Sequence, residues 1–320
     1  MQTPPTSRRS LLIAGSLALV PGIAGSRAVA GTLAGRSLTG SRTPADPAIR
    51  LATLTDIHYA DADPRGNRYY RDSIPKVVRA VNAINDAHAD SPLAFCTMLG
   101  DLIDSRGTPL EDGGLEEEIG YLQTIEAQLA KLNTDRHYVF GNHCVHTLTK
   151  HEFADHSAAQ PSFYSFDRPF TTGSGSLHVV VLDACFTADS TPYSRRNFHW
   201  TDTNLPDHEL RWLEADLAAT TSPTIVLTHQ RLDGDGSTTI RNAPAARTIL
   251  EQSGKIVAVL QGHHHENSLT MIEEIPYLVM RAVVEGPGVE NHAFSLVEVH
   301  ADHSVLVRGF GTQADHKIGR

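Results

Sequence analysis

The chain has 320 residues, with 27 Lys+Arg against 37 Asp+Glu, a formal net charge of −10, 40 % hydrophobic residues and 20 % charged ones. That length accommodates one large domain or two ordinary ones with a proper core, and three cysteines exclude a disulfide-stapled miniature. The acidic balance argues against a dedicated nucleic-acid binder, because duplex affinity rests on neutralising phosphates with Lys and Arg, while 18 histidines direct attention to metal sites.

Residues 1–30 are expected to be an export signal of the twin-arginine type. Ser7-Arg8-Arg9-Ser10-Leu11-Leu12 forms a charged head, an apolar run follows over residues 11–20, and Pro21-Gly22 breaks it. Ala28-Val29-Ala30 offers small residues for a signal peptidase cutting after Ala30. The run falls short of the roughly 20 apolar residues of a permanent anchor. The expectation is therefore a periplasmic or extracellular protein without stable membrane insertion after cleavage. Removing this segment takes away Arg8, Arg9 and Arg27 and no acids, leaving 24 bases against 37 acids, or −13. Residues 31–48, rich in Gly, Ser, Thr and Pro, read as a flexible lead-in, and residues 49–320 as one domain.

From Arg50 onward, apolar runs alternate with amphipathic segments. Buried strands are predicted over residues 51–55, 93–99, 137–140, 177–182, 224–228 and 256–260. Leu115, Ile119, Leu122, Ile125, Leu129 and Leu132, spaced by 4, 3, 3, 4 and 3, draw one stripe along a helix, and Leu210, Leu213 and Leu217 do the same after Pro206-Asp207. Beyond Gly262 the helical patterns stop and short strands follow at 269–272, 277–283, 294–299 and 304–308. Strand–helix alternation with an all-strand tail predicts an α/β protein with more than one sheet. Cys96, Cys144 and Cys185 lie beside strand-like runs and read as buried thiols.

Polar residues close successive predicted strands, where open α/β sheets place their sites. Asp56-Ile57-His58 follows the first. Gly100-Asp101-Leu102-Ile103-Asp104, Gly141-Asn142-His143, His229 and Gly262-His263-His264-His265 follow later ones. Each alone has a structural reading as a turn, a cap or a hydrogen-bonding histidine; five in one order do not. Two divalent ions about 3.5–4 Å apart can clamp the attacking and leaving oxygens of a phosphoryl displacement. Such a pair needs a bridging carboxylate and a mixed shell of imidazole, carboxylate and amide, which suits Mn, Fe, Co or Zn.

The order Asp-x-His, Gly-Asp-x-x-Asp, Gly-Asn-His, His, Gly-His-x-His resembles the calcineurin-like metallophosphoesterases, from Asp56 to His265. The resemblance implies an α/β/β/α sandwich of two mixed sheets flanked by helices. It implies one metal held by Asp56, His58, Asp101 and His265, and a second held by Asp101, Asn142, His229 and His263, with Asp101 bridging. It implies His143 as catalytic residue beside the leaving group, Asp104 orienting a ligand from behind, and hydrolysis by hydroxide generated between the metals. Purple acid phosphatases carry a Tyr ligand at the position of Asp104 and Gly at that of His58, so that branch is disfavoured.

Asp56-Ile57-His58-Tyr59-Ala60-Asp61 with Asn67-Arg68-Tyr69-Tyr70-Arg71-Asp72-Ser73 resembles the manganese-dependent ADP-ribose/CDP-alcohol diphosphatases, as do Leu210-Arg211-Trp212-Leu213 and the tail around Val284-Glu285-Gly286. This implies a small, nucleotide-derived phosphorylated substrate, with manganese the expected ion. Two departures stand out. Cys144 occupies a position where the family more often has an acid, and His58 one where this branch tends to have Gln. Cys144 as a nucleophile is rejected, since a dimetal site supplies its own. Arg68, Tyr69, Arg71 and Arg231 are candidates for a second phosphate and a stacked base, although the Arg-Tyr-Tyr-Arg segment could equally pack a helix against the sheet. Two rivals remain: a broad exported phosphatase or phosphodiesterase, and a non-catalytic metal-binding interaction protein.

Overall fold

The computed structural model describes residues 46–160, 162–234 and 236–319, so the export segment and nearly all of the lead-in lie outside the described residues. In chain order the first elements are β1 (Ile49–Leu54), α1 (Ser73–Asp90), β2 (Cys96–Met98), α2 (Gly114–Leu129), β3 (Arg136–Tyr138) and α3 (Lys150–Asp155). Next come β4 (Tyr164–Pro169), β5 (Ser176–Val181), α4 (Asp207–Ala219), β6 (Thr224–Thr228), α5 (Ala243–Ser253) and β7 (Ile256–Gln261). The tail is all strand apart from one short 3-10 turn: β8 (Ser268–Ile272), β9 (Ile275–Val279), β10 (Ala293–Val299), β11 (Val305–Gly311) and β12 (His316–Ile318).

The strands form two mixed sheets of six, in the orders β12-β11-β10-β1-β2-β3 and β4-β5-β6-β7-β9-β8. In the first, β1, β2 and β3 are parallel and β10 pairs antiparallel with β1. In the second, β5, β6, β7 and β9 are parallel between antiparallel edges. Thr-Ile-Val-Leu-Thr of β6 and Ile-Val-Ala-Val-Leu-Gln of β7 are buried throughout, as befits parallel strands covered on both faces. Leu51, Leu99, Val179, Ile225, Leu260 and Val297 pack in one cluster spanning the two sheets. Val77 and Ile84 of α1 and Leu122 and Ile125 of α2 cover the other face of the first sheet. Leu213 of α4 and Leu250 of α5 do the same for the second. Each such leucine removed from water contributes about 1.5–3 kcal/mol. The layers are helix, sheet, sheet, helix, the sandwich expected. Among the described residues no helix is long and apolar enough to cross a membrane.

The structure revises the predicted strands at their ends. β2 begins only at Cys96, because pairing with both neighbours spans Cys96 to Met98. The run predicted over 277–283 leaves its sheet after Val279 and crosses to the first. There the Val283 and Val284 amides donate to the Thr55 and Asp56 carbonyls, both at 3.1 Å. A lysine secures this crossing. Lys76 of α1 is fully buried, and its Nζ, with three N–H groups to share, lies within hydrogen-bond distance of four successive carbonyls, those of Val283 (3.0 Å), Val284 (3.2 Å), Glu285 (3.0 Å) and Gly286 (2.7 Å).

Candidate metal centre

Every motif residue sits just past the C-terminal end of a parallel strand, three from one sheet and two from the other. Asp56 and His58 follow β1, Asp101 follows β2, Asn142 and His143 follow β3, His229 follows β6, and His263 and His265 follow β7. The chain must leave each strand sharply to aim these side chains together. Asp56, His58, Asp101, His263 and His265 all have positive φ, between 46° and 67°, a region that residues with a Cβ enter at a cost and that gathers at functional sites. Space is equally tight. A Cβ on Gly141 would lie 2.2 Å from Asp101 Oδ1, one on Gly262 2.2 Å from Thr55 Oγ1, and one on Gly100 2.4 Å from His229 Nδ1.

Two clusters of possible ligand atoms result. Asp56, His58 and His265 form one, and Asp101, His229 and His263 the other; a third grouping of His58, Asp101 and His143 joins them. His265 Nε2 lies 3.3 Å and His58 Nε2 3.6 Å from Asp56 Oδ1, while Asp101 Oδ2 is 3.5 Å from His58 Nε2 and 3.0 Å from His229 Nε2. Asp101 thus faces both groups, as a bridging ligand must.

Groups behind the imidazoles fix which nitrogen is free. His58 Nδ1 donates to Asp104 Oδ2 at 3.0 Å, and His265 Nδ1 donates to Glu285 Oε1 at 2.7 Å. Both leave Nε2 facing inward, 3.1 Å apart. Two imidazole lone pairs at that separation repel unless a proton or a cation lies on them. His229 Nδ1 instead donates to the Leu99 carbonyl at 2.8 Å. Asn142 Oδ1 and His263 Nε2 are buried without a hydrogen-bond partner among the described residues. Unpaired acceptors of these types, beside converging carboxylates, suit divalent transition ions.

Asp104 does more than orient His58. Its Oδ1 accepts from His143 Nδ1 at 2.9 Å, and its Oδ2 also accepts from Arg68 at 3.3 Å. The His143 amide donates to Asp101 Oδ1 at 2.7 Å. Burial opposes charge on His143, but Asp104 and Asp101 outweigh it and raise the imidazole above its usual value. Burial likewise opposes ionisation of Asp56, where His265 and His58 hold the carboxyl well below the ordinary range. The acid missing at Cys144 is therefore not needed to orient His143. The Cys144 thiol is buried, accepts from the Leu102 amide at 3.3 Å, and is pushed up to about 12 by burial and by Asp101. All three cysteines are buried and free.

A cavity of about 830 Å³ opens over these residues, lined by Asp101, Asn142, His143, His263 and His265 among others. Of the four substrate candidates that the sequence suggests, only Arg68 lines it. Arg71 is exposed and paired with Asp61 and Asp63, Arg231 is paired with Asp233, and Tyr69 is not a lining residue. The adjacent Tyr70 is core, only 3 % exposed, which is the packing alternative. Sequence reasoning missed the role of Glu285 and missed Arg281, His146, Phe198, His199 and Trp200 on the cavity wall. None belongs to a metal-ligand motif, although Glu285 and His146 stand in segments that the sequence singles out, around Val284-Glu285-Gly286 and after Cys144.

Comparison with known proteins agrees with this geometry. A family model described as calcineurin-like phosphoesterase matches residues 49–267. A manganese-dependent ADP-ribose/CDP-alcohol diphosphatase from Oryza sativa subsp. japonica is 23 % identical, over 85 % of this chain and 94 % of that protein. One of the same name from Xenopus tropicalis is also 23 % identical, over 87 % and 96 %. Among solved structures, a dimetal phosphatase from Danio rerio superposes with a TM-score of 0.71 at 19 % identity, covering 86 % of this chain and 99 % of that one. The GAP50 anchor of the inner membrane complex of Plasmodium shares the fold, with a TM-score of 0.56 at 12 % identity over 85 % and 88 %.

Proposed function

The chain belongs to the calcineurin-like phosphoesterase family and is a metal-dependent phosphoester hydrolase using two divalent ions; from that premise we propose that it cleaves a phosphoanhydride joining a nucleotide to a second phosphorylated group, as in ADP-ribose or a CDP-alcohol. The observation that carries this reading is the single Asp101 carboxylate facing two donor clusters, beneath a cavity far larger than one phosphate and bordered by the guanidinium groups of Arg68 and Arg281. The relatives' names support the substrate class and manganese as the ion, and the match covers 94 % and 96 % of their lengths.

Asp56, His58, Asp101 and His265 would hold one ion, and Asp101, Asn142, His229 and His263 the other. When bound, such a pair supplies Lewis acidity toward phosphoryl oxygens and lowers the pKa of water at the site. The remaining work falls to the chain itself. Asp104 fixes the His143 tautomer by accepting from Nδ1, so Nε2 is the atom that carries a proton to the departing oxygen. Arg68, one third exposed, and Arg281 meet the charge of the second phosphate. The export segment read at residues 1–30 would place this chemistry outside the cytoplasm, which cell fractionation tests.

The decisive experiment is product analysis after incubating the manganese-loaded protein with ADP-ribose. AMP and ribose 5-phosphate are the expected products. Hydrolysis of simple phosphomonoesters or diesters without AMP would replace this reading with a broad exported phosphoesterase.

A further inference from the structure

The geometry points to a nucleobase subsite built by the loop of residues 193–201, with Trp200 as the stacking platform, an assignment that rests on the nucleotide reading above. The cavity, at about 830 Å³, is of the size that encloses a drug-sized ligand rather than one phosphate. Its polar floor is the metal centre. Phe198, His199 and Trp200, three consecutive residues of that loop, supply an aromatic wall. Trp200 is 47 % exposed, one of three exposed large hydrophobic side chains among the described residues. The other two, Leu269 and Met271, lie on edge strand β8 and do not line the cavity.

The loop is held in place around its inner ring. Tyr193, fully buried, stacks on Phe198 with centroids 3.6 Å apart and planes 8° from parallel, and Phe198 meets the edge of His146 at 5.9 Å. The two intervening arginines fasten the backbone. Arg195 and Arg196 both have positive φ, at 50° and 61°. Arg195 pairs with Glu152 and donates from Nη1 to the Thr147 carbonyl at 2.6 Å, while Arg196 donates to the Thr108 carbonyl at 2.6 Å. The Arg196 amide also donates to the His146 carbonyl at 2.6 Å. Two consecutive left-handed residues with side chains persist only where their surroundings over-determine them. What they determine here is the position of an aromatic wall beside His143 and the metal ligands.

A large apolar ring left half in water beside a phosphoester-cleaving centre needs a flat, weakly polar partner that arrives with the phosphate. A nucleobase is such a partner. Stacking of a base on an aromatic side chain is worth roughly tenfold or more in affinity and tolerates any base, because every base has a π face. The subsite therefore serves adenine and cytosine alike, and it replaces the stacking role considered for Tyr69.

The chain has two tryptophans. Trp212 of α4 packs against Phe163, centroids 4.9 Å apart, so Trp200 is the solvent-facing reporter. Intrinsic fluorescence of the full chain is titrated with AMP, CMP, ribose 5-phosphate and inorganic phosphate. AMP and CMP should both quench, the two base-free anions should not, and Trp200→Phe should abolish the signal. In parallel, Trp200→Ala should lose at least tenfold more kcat/KM on ADP-ribose than on glycerol phosphate, chiefly through KM, and Trp200→Phe should restore most of that loss. Quenching by phosphate alone, no response to either nucleotide, or equal losses on the two substrates would overturn the subsite. Wild-type hydrolysis of glycerol phosphate without nucleotide quenching would sink the subsite alone. Quenching without hydrolysis of either substrate would uphold the subsite and sink the catalytic reading.

Discussion

The two halves of the candidate metal centre each offer a carboxylate and two imidazoles, with the Asn142 amide on one side only, and they differ in what stands behind the rings. On one side His58 and His265 each donate Nδ1 to a carboxylate, Asp104 and Glu285. On the other, His229 donates to a backbone carbonyl, and His263 Nδ1 lies against the neighbouring His229 ring, at 3.2 Å. A carboxylate behind an imidazole fixes its tautomer and raises its basicity, and removing such a partner typically costs 10–100-fold in metal affinity. The lesson is that two pairs of imidazoles do not make two equal sites. The Asp56 side should be the tighter and the more tunable.

Substitutions test the comparison, beginning with the most severe. Asp101→Ala removes the carboxylate common to both sides and should leave the purified protein without its pair of ions, with hydrolysis at background; elemental analysis that still finds two per chain would break the assignment. His143→Ala should lower kcat about 10²–10⁴-fold with metal content unchanged, because its ring is held by Asp104 Oδ1 and both three-residue clusters of the two halves are complete without it. Loss of metal in step with activity would instead make His143 a ligand. Glu285→Gln keeps an acceptor for His265 Nδ1 but removes its charge. It should weaken one manganese-binding step about 10–100-fold in a calorimetric titration and spare the other; equal weakening of both would erase the distinction between halves.

The smallest effect is on pH dependence in the metal-free protein. Burial opposes charge on His265, but Asp56 and Glu285 raise it to about 9. Its stabilising charge is complete below the unfolded value near 6.5 and is lost as pH rises through 9. Burial and the neighbouring His229 push His263 down to about 3, so it folds neutral, and acid below pH 6.5 favours the unfolded chain, which binds the proton more readily. Thermal stability should therefore peak near pH 6.5, falling by about 1–3 kcal/mol on each side. At pH 7.5 His265 should release a proton when manganese binds to the first half, which titration in buffers of different ionisation enthalpy reads directly.

The core of the centre was legible in the sequence because each part is local. A ligand directly after a buried run of Val, Ile and Leu, with glycine where the backbone crowds, carries its own context, and Gly141 and Gly262 have no room for a Cβ. The layers were legible for the same reason, through the uninterrupted runs of β6 and β7 and the stripe of α2. Strands β4, Tyr-Ser-Phe-Asp-Arg-Pro, and β12, His-Lys-Ile, are edge strands whose residues never need to be uniformly apolar, so no pattern announced them. Arg71 and Arg231 misled because a guanidinium is satisfied by whichever acid is nearest. For these it was Asp61, Asp63 and Asp233, all within ten residues along the chain. Glu285 and Trp200 reach the site only through the paths of long connections, which pairwise spacing does not encode.

Lys76 gives the crossing at residues 283–286 an unusual kind of permanence. Four carbonyl oxygens converging on one point, at 2.7 to 3.2 Å, are what a bound potassium or ammonium ion ordinarily requires. Here the ammonium is tethered to α1, so the cage cannot be emptied by dilution, by chelators or by the salt of the surroundings. Glu285 is carried on that cage and holds His265 in turn. One wall of the seat should thus keep its shape when the ions are stripped, its own cation being part of the polypeptide.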